Sequence, residues 1–407
     1  MKLINAGLAR WSRRLDPLWR LAAGLRLLPP PLPAGAAPRQ ILVVDLHLLG
    51  DIVMLEPLLR ALRRAQPQAR LGLVAGPWAP EVLADTGLVD EYFCLAAPWV
   101  RKGGGAPAWR ALLAVLGRLR RQDWDWGIDV RGDLRNIALL TLARARRRIA
   151  YDFSGGAALL TDVVADDGRL RHILEHHRSL ALHLGIDMSP EEAVPRLPVP
   201  ADRPVTARLP VAADVPVRPR LPGPVDEPVT GRRPMPPQAP APAQGLPRPL
   251  AGVHFGASQP LRRLPVDEAL ALTVHLAAQP GLHLLLFEAP DTQDIVRQVV
   301  DQLPAAVAGR VLRWHGSLRE FMALLGQLDA FYGMDSGPAH LAAALGVPTT
   351  VFFGPNLPAA VQPWGRQVRV IEQAGLYCRP CDQVHCTNVQ RQACLRGIVA
   401  LLPAAPG

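Results

Sequence analysis

No G-x-G-x-x-G follows the first apolar run of this chain, and no G-x-x-x-x-G-K-[ST] occurs among its 407 residues. Those absences remove the fingerprints with which dinucleotide oxidoreductases and P-loop kinases or ATPases grip phosphate. The glycine runs at Gly103–Gly105 and Gly155–Gly156 lack those contexts and read as loops. Long apolar runs are missing from the N-terminus too. Arginine breaks every apolar stretch of the first 28 residues, well short of the roughly 20 residues a membrane span needs. No small-residue cleavage site follows a clean apolar core, so a signal peptide is not expected either. Zinc-finger, helix-turn-helix and aromatic–basic RNA signatures are likewise absent. The net charge of +10 therefore points to anionic partners other than nucleic acid.

What is present suits two domains of ordinary size, and an apolar fraction of 49% supports buried cores. Ile4, Leu8, Trp11, Leu15, Leu18, Ala22 and Leu25 recur at helical spacing, with Arg10, Arg13, Arg14, Arg20 and Arg26 interleaved. Residues 1–39 thus read as a basic amphipathic segment, kinked at Pro17, that either lies on a membrane surface or packs on the protein's own body. From residue 40 strands and helices alternate: strands at 41–44, 71–74, 91–95 and 126–130, helices at 52–65, 108–121, 136–143 and 171–184. That is the rhythm of a parallel α/β sheet, and it defines a first lobe over 40–189. Proline then recurs every few residues, so 190–250 reads as an extended connector. A second α/β lobe is expected over 251–375, with strands at 250–255, 283–287, 311–312 and 349–353 and helices at 266–278, 291–302, 318–325 and 338–345. A Cys-rich segment, 376–407, closes the chain.

Three constellations can carry chemistry. An apolar run ending in Ala330-Phe331-Tyr332 passes through Asp335, Ser336 and Gly337 into an alanine-rich helix. Unpaired N–H groups and the positive end of the helix dipole suit a pyrophosphate there, and the alternative is an ordinary capped turn. The first strand runs through Gly50 and Asp51 into its helix, at the carboxyl edge of the sheet where open α/β folds place ligands. Asp51 is either a general base or the helix cap. The loop Gly256-Ala257-Ser258 precedes Arg262 and Arg263, either of which can neutralise a leaving diphosphate without a metal, or can be a solvated surface residue.

Cys378, Cys381, Cys386 and Cys394 follow C-x2-C-x4-C-x7-C, a spacing that can close a structural zinc site or hold an iron–sulfur cluster. His385 is a fifth ligand candidate, and two disulfides are the alternative in an oxidising compartment. Cys94, alone in a strand, reads as core.

Taken together, the strand–Leu-Gly-Asp–helix at 43–57, the Asp129-Val130-Arg131-Gly132-Asp133-Leu134-Arg135 segment, the Gly256–Ser258 loop and the run from Asp335 to Pro348 with Phe353-Gly354-Pro355 resemble the family 9 glycosyltransferases, the ADP-heptose:lipopolysaccharide heptosyltransferases. The resemblance spans roughly Ile41 to Arg396. It implies a GT-B fold of two Rossmann-like lobes facing a central cleft, and inverting transfer that needs no catalytic cofactor. By position, Asp51 matches the family's base, Arg262 a phosphate-binding Lys, and Asp335, Ser336 and Gly337 the donor turn, with Gly50 and Ser258 beside them and His340 in support. The implied partners are a nucleotide sugar, ADP-heptose first, a lipid A-core or other lipid-linked acceptor, and the cytoplasmic face of the inner membrane. Another nucleotide sugar, or a non-catalytic nucleotide-sugar-binding scaffold, are the rival readings. Asp45 stands where the family usually carries Arg or Lys, Leu264 where it carries Trp, and the proline-rich connector is longer than the family's.

Overall fold

The computed structural model describes residues 32, 36–99, 106–200, 246–381 and 383–403. The N-terminal segment expected to be a basic amphipathic helix and most of the proline-rich connector lie outside them. The chain forms two compact units that change over between Ala193 and Val194.

The first unit runs β1 (Gln40–Asp45), α1 (Leu49–Ala65), β2 (Arg70–Ala75), α2 (Ala79–Leu83), β3 (Glu91–Cys94), α3 (Ala106–Leu119), β4 (Trp126–Asp129), α4 (Leu134–Leu142), β5 (Arg147–Ala150), β6 (Asp162–Val163) and α5 (Ile173–His183). Its six strands lie in the order β3-β2-β1-β4-β5-β6, and all neighbours are parallel. The near-continuous apolar strands follow from this arrangement, because helices cover a parallel sheet on both faces. Ile41 through Asp45 are all buried.

The second unit repeats the plan with β7 (Leu250–His254), α6 (Val266–Ala277), β8 (His283–Phe287), α7 (Gln293–Asp301), α8 (Ala305–Ala308), β9 (Val311–Trp314), α9 (Leu318–Leu325), β10 (Ala330–Met334), α10 (Gly337–Ala344), β11 (Thr349–Phe353), α11 (Pro358–Val361) and β12 (Val368–Glu372). The sheet order β12-β11-β10-β7-β8-β9 has the same topology as the first. The start of the proline-rich stretch packs on this unit: Leu197 donates its N–H to Ala344 O at 3.0 Å.

In both sheets the order reverses beside the first strand, between β1 and β4 and between β7 and β10. Open sheets bind ligands outside the carboxyl ends of their strands at such a switch point.

Three strands have no counterpart in the sequence reading: β5, β6 and β12. β5 opens on two arginines, the end of a run of positive charge from Arg144 to Arg148. Arg148 is nonetheless buried, donating to Leu159 O at 2.6 Å and Ala145 O at 2.7 Å, and Arg147 pairs with Asp162 at 2.7 Å. Tertiary partners, invisible to composition, turn a charged tetrapeptide into a strand.

The turn after β4 depends on Gly132, whose φ is +63° and whose added Cβ would lie 2.9 Å from Tyr151 O and from the Phe153 ring. Gly132→Ala is expected to cost about 1–3 kcal/mol for the left-handed backbone alone. Urea unfolding of the variant measures this.

Candidate functional site

Asp51 is the third residue of α1, and Leu48, not Asp51, holds the capping position. One Asp51 oxygen accepts the Leu48 N–H at 2.9 Å, and the other faces Arg131 Nη2 at 3.0 Å. The carboxylate therefore stabilises the positive end of the helix while turned toward a cation. Gly50 is buried beside it.

Asp51 has unexpected company. Asp45, at the end of β1, is fully buried and accepts from the His47 N–H and approaches His47 Nδ1, both at 3.2 Å. Val44 lies opposite Asp129 in the β1–β4 register. Asp129 accepts from Asn136 Nδ2 at 2.9 Å and from the Arg131 and Asp133 N–H groups at 3.2 and 2.9 Å. Burial nevertheless pushes its carboxyl up to about 7. Arg131 is opposed by burial, but the carboxylates of Asp51, Asp45, Asp129 and Asp133 outweigh that and strengthen its hold on its proton. His177 of α5 donates from Nδ1 to Met54 O at 3.0 Å, and burial holds it neutral, its pKa lowered to about 4. Of this set, Asp51 alone was a sequence-derived site residue. Asp129 and Arg131 do lie in a segment that carried the family resemblance, while His177 had no signal in spacing.

In the second unit Asp335 follows β10 and is buried. Arg262 Nη2 lies 2.8 Å from its Oδ2 and also donates to its main-chain carbonyl. Asn356 Nδ2 donates to the same carboxylate at 2.6 Å. Ser336 occupies the capping position of α10 without a capping bond; its hydroxyl donates to Met334 O at 3.1 Å. Gly337 opens the helix, and His340 is buried one turn on. Ser258 is exposed, and the backbone before it is crowded: a Cβ on Gly256 would meet Thr292 at 2.4 Å. Arg263 turns away from this pair, donating to Ala257 O at 3.0 Å and lying 3.6 Å from Asp291. The structure thus separates the two arginines and joins Arg262 to the turn.

Cys378, Cys381, Cys386 and Cys394 are free thiols lining one cavity with Leu261, Pro355 and Gln392. Asn388 Nδ2 donates to Cys378 Sγ at 3.4 Å and the Gln392 N–H to Cys386 Sγ at 3.3 Å. Among the described residues no group of three or more His, Cys, Asp or Glu is placed to hold an ion. Exposed His385 is not among the residues lining the cavity. Cys94 ends β3 and is half-buried, with burial raising its pKa. Among the described residues no helix is long and apolar enough to cross a membrane.

Two Rossmann-like units, each with its polar residues at the switch point, define a GT-B protein. Residues 112–391 match glycosyltransferase family 9 (heptosyltransferase), and the chain belongs to that family. A Campylobacter jejuni protein described as lipooligosaccharide heptosyltransferase 2 is 33% identical over 70 residues, which is 17% of this chain and 22% of that relative's length. The E. coli ADP-heptose lps heptosyltransferase II structure aligns with TM-score 0.58 and 20% identity over 83% of this chain and 91% of that one. An E. coli heptosyltransferase solved with ADP-2-deoxy-2-fluoro heptose aligns with TM-score 0.59 and 19% identity, covering 81% and 92%. At these identities the structural likeness is one of fold.

Neutral His177 contributes stability that is fully present above its ordinary pKa of 6.5 and is lost as pH falls through about 4. Between these values the wild type is expected to lose stability faster than His177→Asn, as read by urea unfolding at stepped pH.

Proposed function

We propose that the chain is a glycosyltransferase that moves a heptose from ADP-heptose to a hydroxyl of a lipopolysaccharide core or other lipid-linked acceptor. The observation that carries this reading is the Arg262–Asp335 pair at the mouth of the turn into α10, within a chain of this family. The α10 N–H groups and the Arg262 guanidinium supply the charge that a departing diphosphate needs. Asp335, Ser336 and Gly337 form that turn, His340 backs it, and Ser258 lies on the loop before Arg262. Asp51 is the general base, with Gly50 buried beside it.

The acceptor oxygen bonds to the anomeric carbon as the bond from that carbon to the diphosphate oxygen breaks. Its proton passes to the Asp51 carboxylate, ADP leaves with the electron pair, and the anomeric configuration inverts. Catalysis on this account uses the chain's own groups. A lipid-linked acceptor places the work at the cytoplasmic face of the inner membrane, where the basic N-terminal segment would meet anionic lipid.

Asp51→Asn is expected to lower kcat ~10²–10⁴-fold while leaving ADP affinity intact. Full turnover by that variant removes Asp51 as base. A thermal-shift comparison of ADP-heptose, ADP, UDP and GDP tests the donor: the adenine nucleotides should stabilise most. Preference for a uridine or guanosine nucleotide would change the sugar donor and keep the fold.

The four thiols fit a structural zinc or an iron–sulfur cluster in donor type, and N–H groups aimed at Cys378 and Cys386 sulfurs suit thiolates. Such a group would brace the segment from 376 onward and take no part in transfer. Protein purified without oxygen should carry zinc or iron by elemental analysis, and absence of both sinks this assignment.

A further inference from the structure

Arg131 stands 80 residues beyond Asp51 in sequence, and only the pairing of β1 with β4 brings them together. The contact is sheltered: the two side chains are 10% and 14% exposed. Both Asp51 oxygens are committed, one to the Leu48 N–H and one to Arg131, so the carboxylate cannot rotate without losing a donor.

Several groups face Arg131. Asp45 comes from the end of β1, Asp51 from α1, Asp129 from the end of β4, Asp133 from the turn after it, and His176 and His177 from α5. Four carry carboxyl groups, of which Asp133 is also paired with Arg135 at 2.8 Å and Asp129 is pushed up to about 7 by burial. His177, kept neutral by burial, adds no competing cation. Arg131 Nε, Asp45 Oδ2 and His177 Nε2 are buried without hydrogen-bond partners. Leaving such atoms unpaired costs stability, and the cluster thus has the character of one built around charge rather than packing.

We infer that Arg131 is the positioning residue for the base: its guanidinium, 3.0 Å from Asp51 in a sheltered contact, fixes the direction of that carboxylate and favours its ionised form. The inference rests on the reading of Asp51 as base. A carboxylate beside Arg releases its proton more readily, and the 3.0 Å contact puts Asp51 in that position. The forked guanidinium gives directional donors that a point cation lacks.

The test is the pH profile of kcat/KM for ADP release from ADP-heptose with a lipopolysaccharide-core acceptor. Arg131→Met should move the acid limb up by ~1–3 pH units. Arg131→Lys, which keeps the charge and loses the fork, should leave the limb in place and lower kcat by ~10–100-fold with little change in acceptor KM. An unmoved limb in Arg131→Met, or wild-type kcat in Arg131→Lys, overturns the inference. Should circular dichroism show Arg131→Met unfolded, the lysine variant decides alone. Asp51→Asn run in parallel separates the two readings. Full turnover in that variant sinks the base itself; its loss together with an unmoved limb sinks only the role of Arg131.

Discussion

A buried carboxylate at the carboxyl edge of a parallel sheet cannot stand alone, and each lobe of this chain meets that constraint with one arginine. In the first lobe Arg131 answers Asp51, Asp45 and Asp129. In the second, Arg262 answers Asp335. Removing one partner of a buried pair strands the other at a cost of about 3–5 kcal/mol, comparable with much of a domain's net stability. The arginines therefore fix where the turns after β4 and β10 can sit. Both pairs lie at switch points, where the two strands beside the reversal leave room for a ligand.

The second pair is also tied to the Cys-rich segment. Gln392 donates to Leu261 O at 3.3 Å and Arg263 O at 3.1 Å, gripping the loop that carries Arg262. Arg379, nearly buried, donates to Asn356 O and to Glu372, both at 2.7 Å. Gln383 donates to the Asn356 side-chain oxygen, and Asn356 holds Asp335. A segment that reads in sequence as an appended metal knuckle is thus a wall of the turn into α10. The thiol cavity lies against that wall, between Leu261 and Pro355.

Most of the fold was legible in the sequence because its strands are buried on both faces and carry unbroken apolar runs. His283–Phe287 and Thr349–Phe353 fall where the pattern puts them. β5 was hidden by Arg147 and Arg148, whose burial is made acceptable by carbonyls and a carboxylate supplied from elsewhere. Of the candidate site, the two turns were visible from small residues at helix starts. Their partners were not, since neither the 80 residues between Asp51 and Arg131 nor the 73 between Arg262 and Asp335 leave a local pattern. Arg262 entered by resemblance, and Arg131 had no such guide to its role. A charged pair following strand 126–130 was the available signal, once that strand is placed beside the first.

The two pairs differ in a way that suits their proposed tasks. Asp51 uses both oxygens on fixed donors, so Arg131 holds a base that must keep its direction through the reaction. Asp335 instead has Asn356 at 2.6 Å besides Arg262. If Arg262 turns toward a diphosphate, Asp335 keeps a donor and is not stranded, which lowers the cost of trading one anion for another. A guanidinium shared in this way is poised at the turn and released by the ligand that replaces its partner. The geometry around Asp335 is that of a cation on loan, and the geometry around Asp51 is that of one in permanent post.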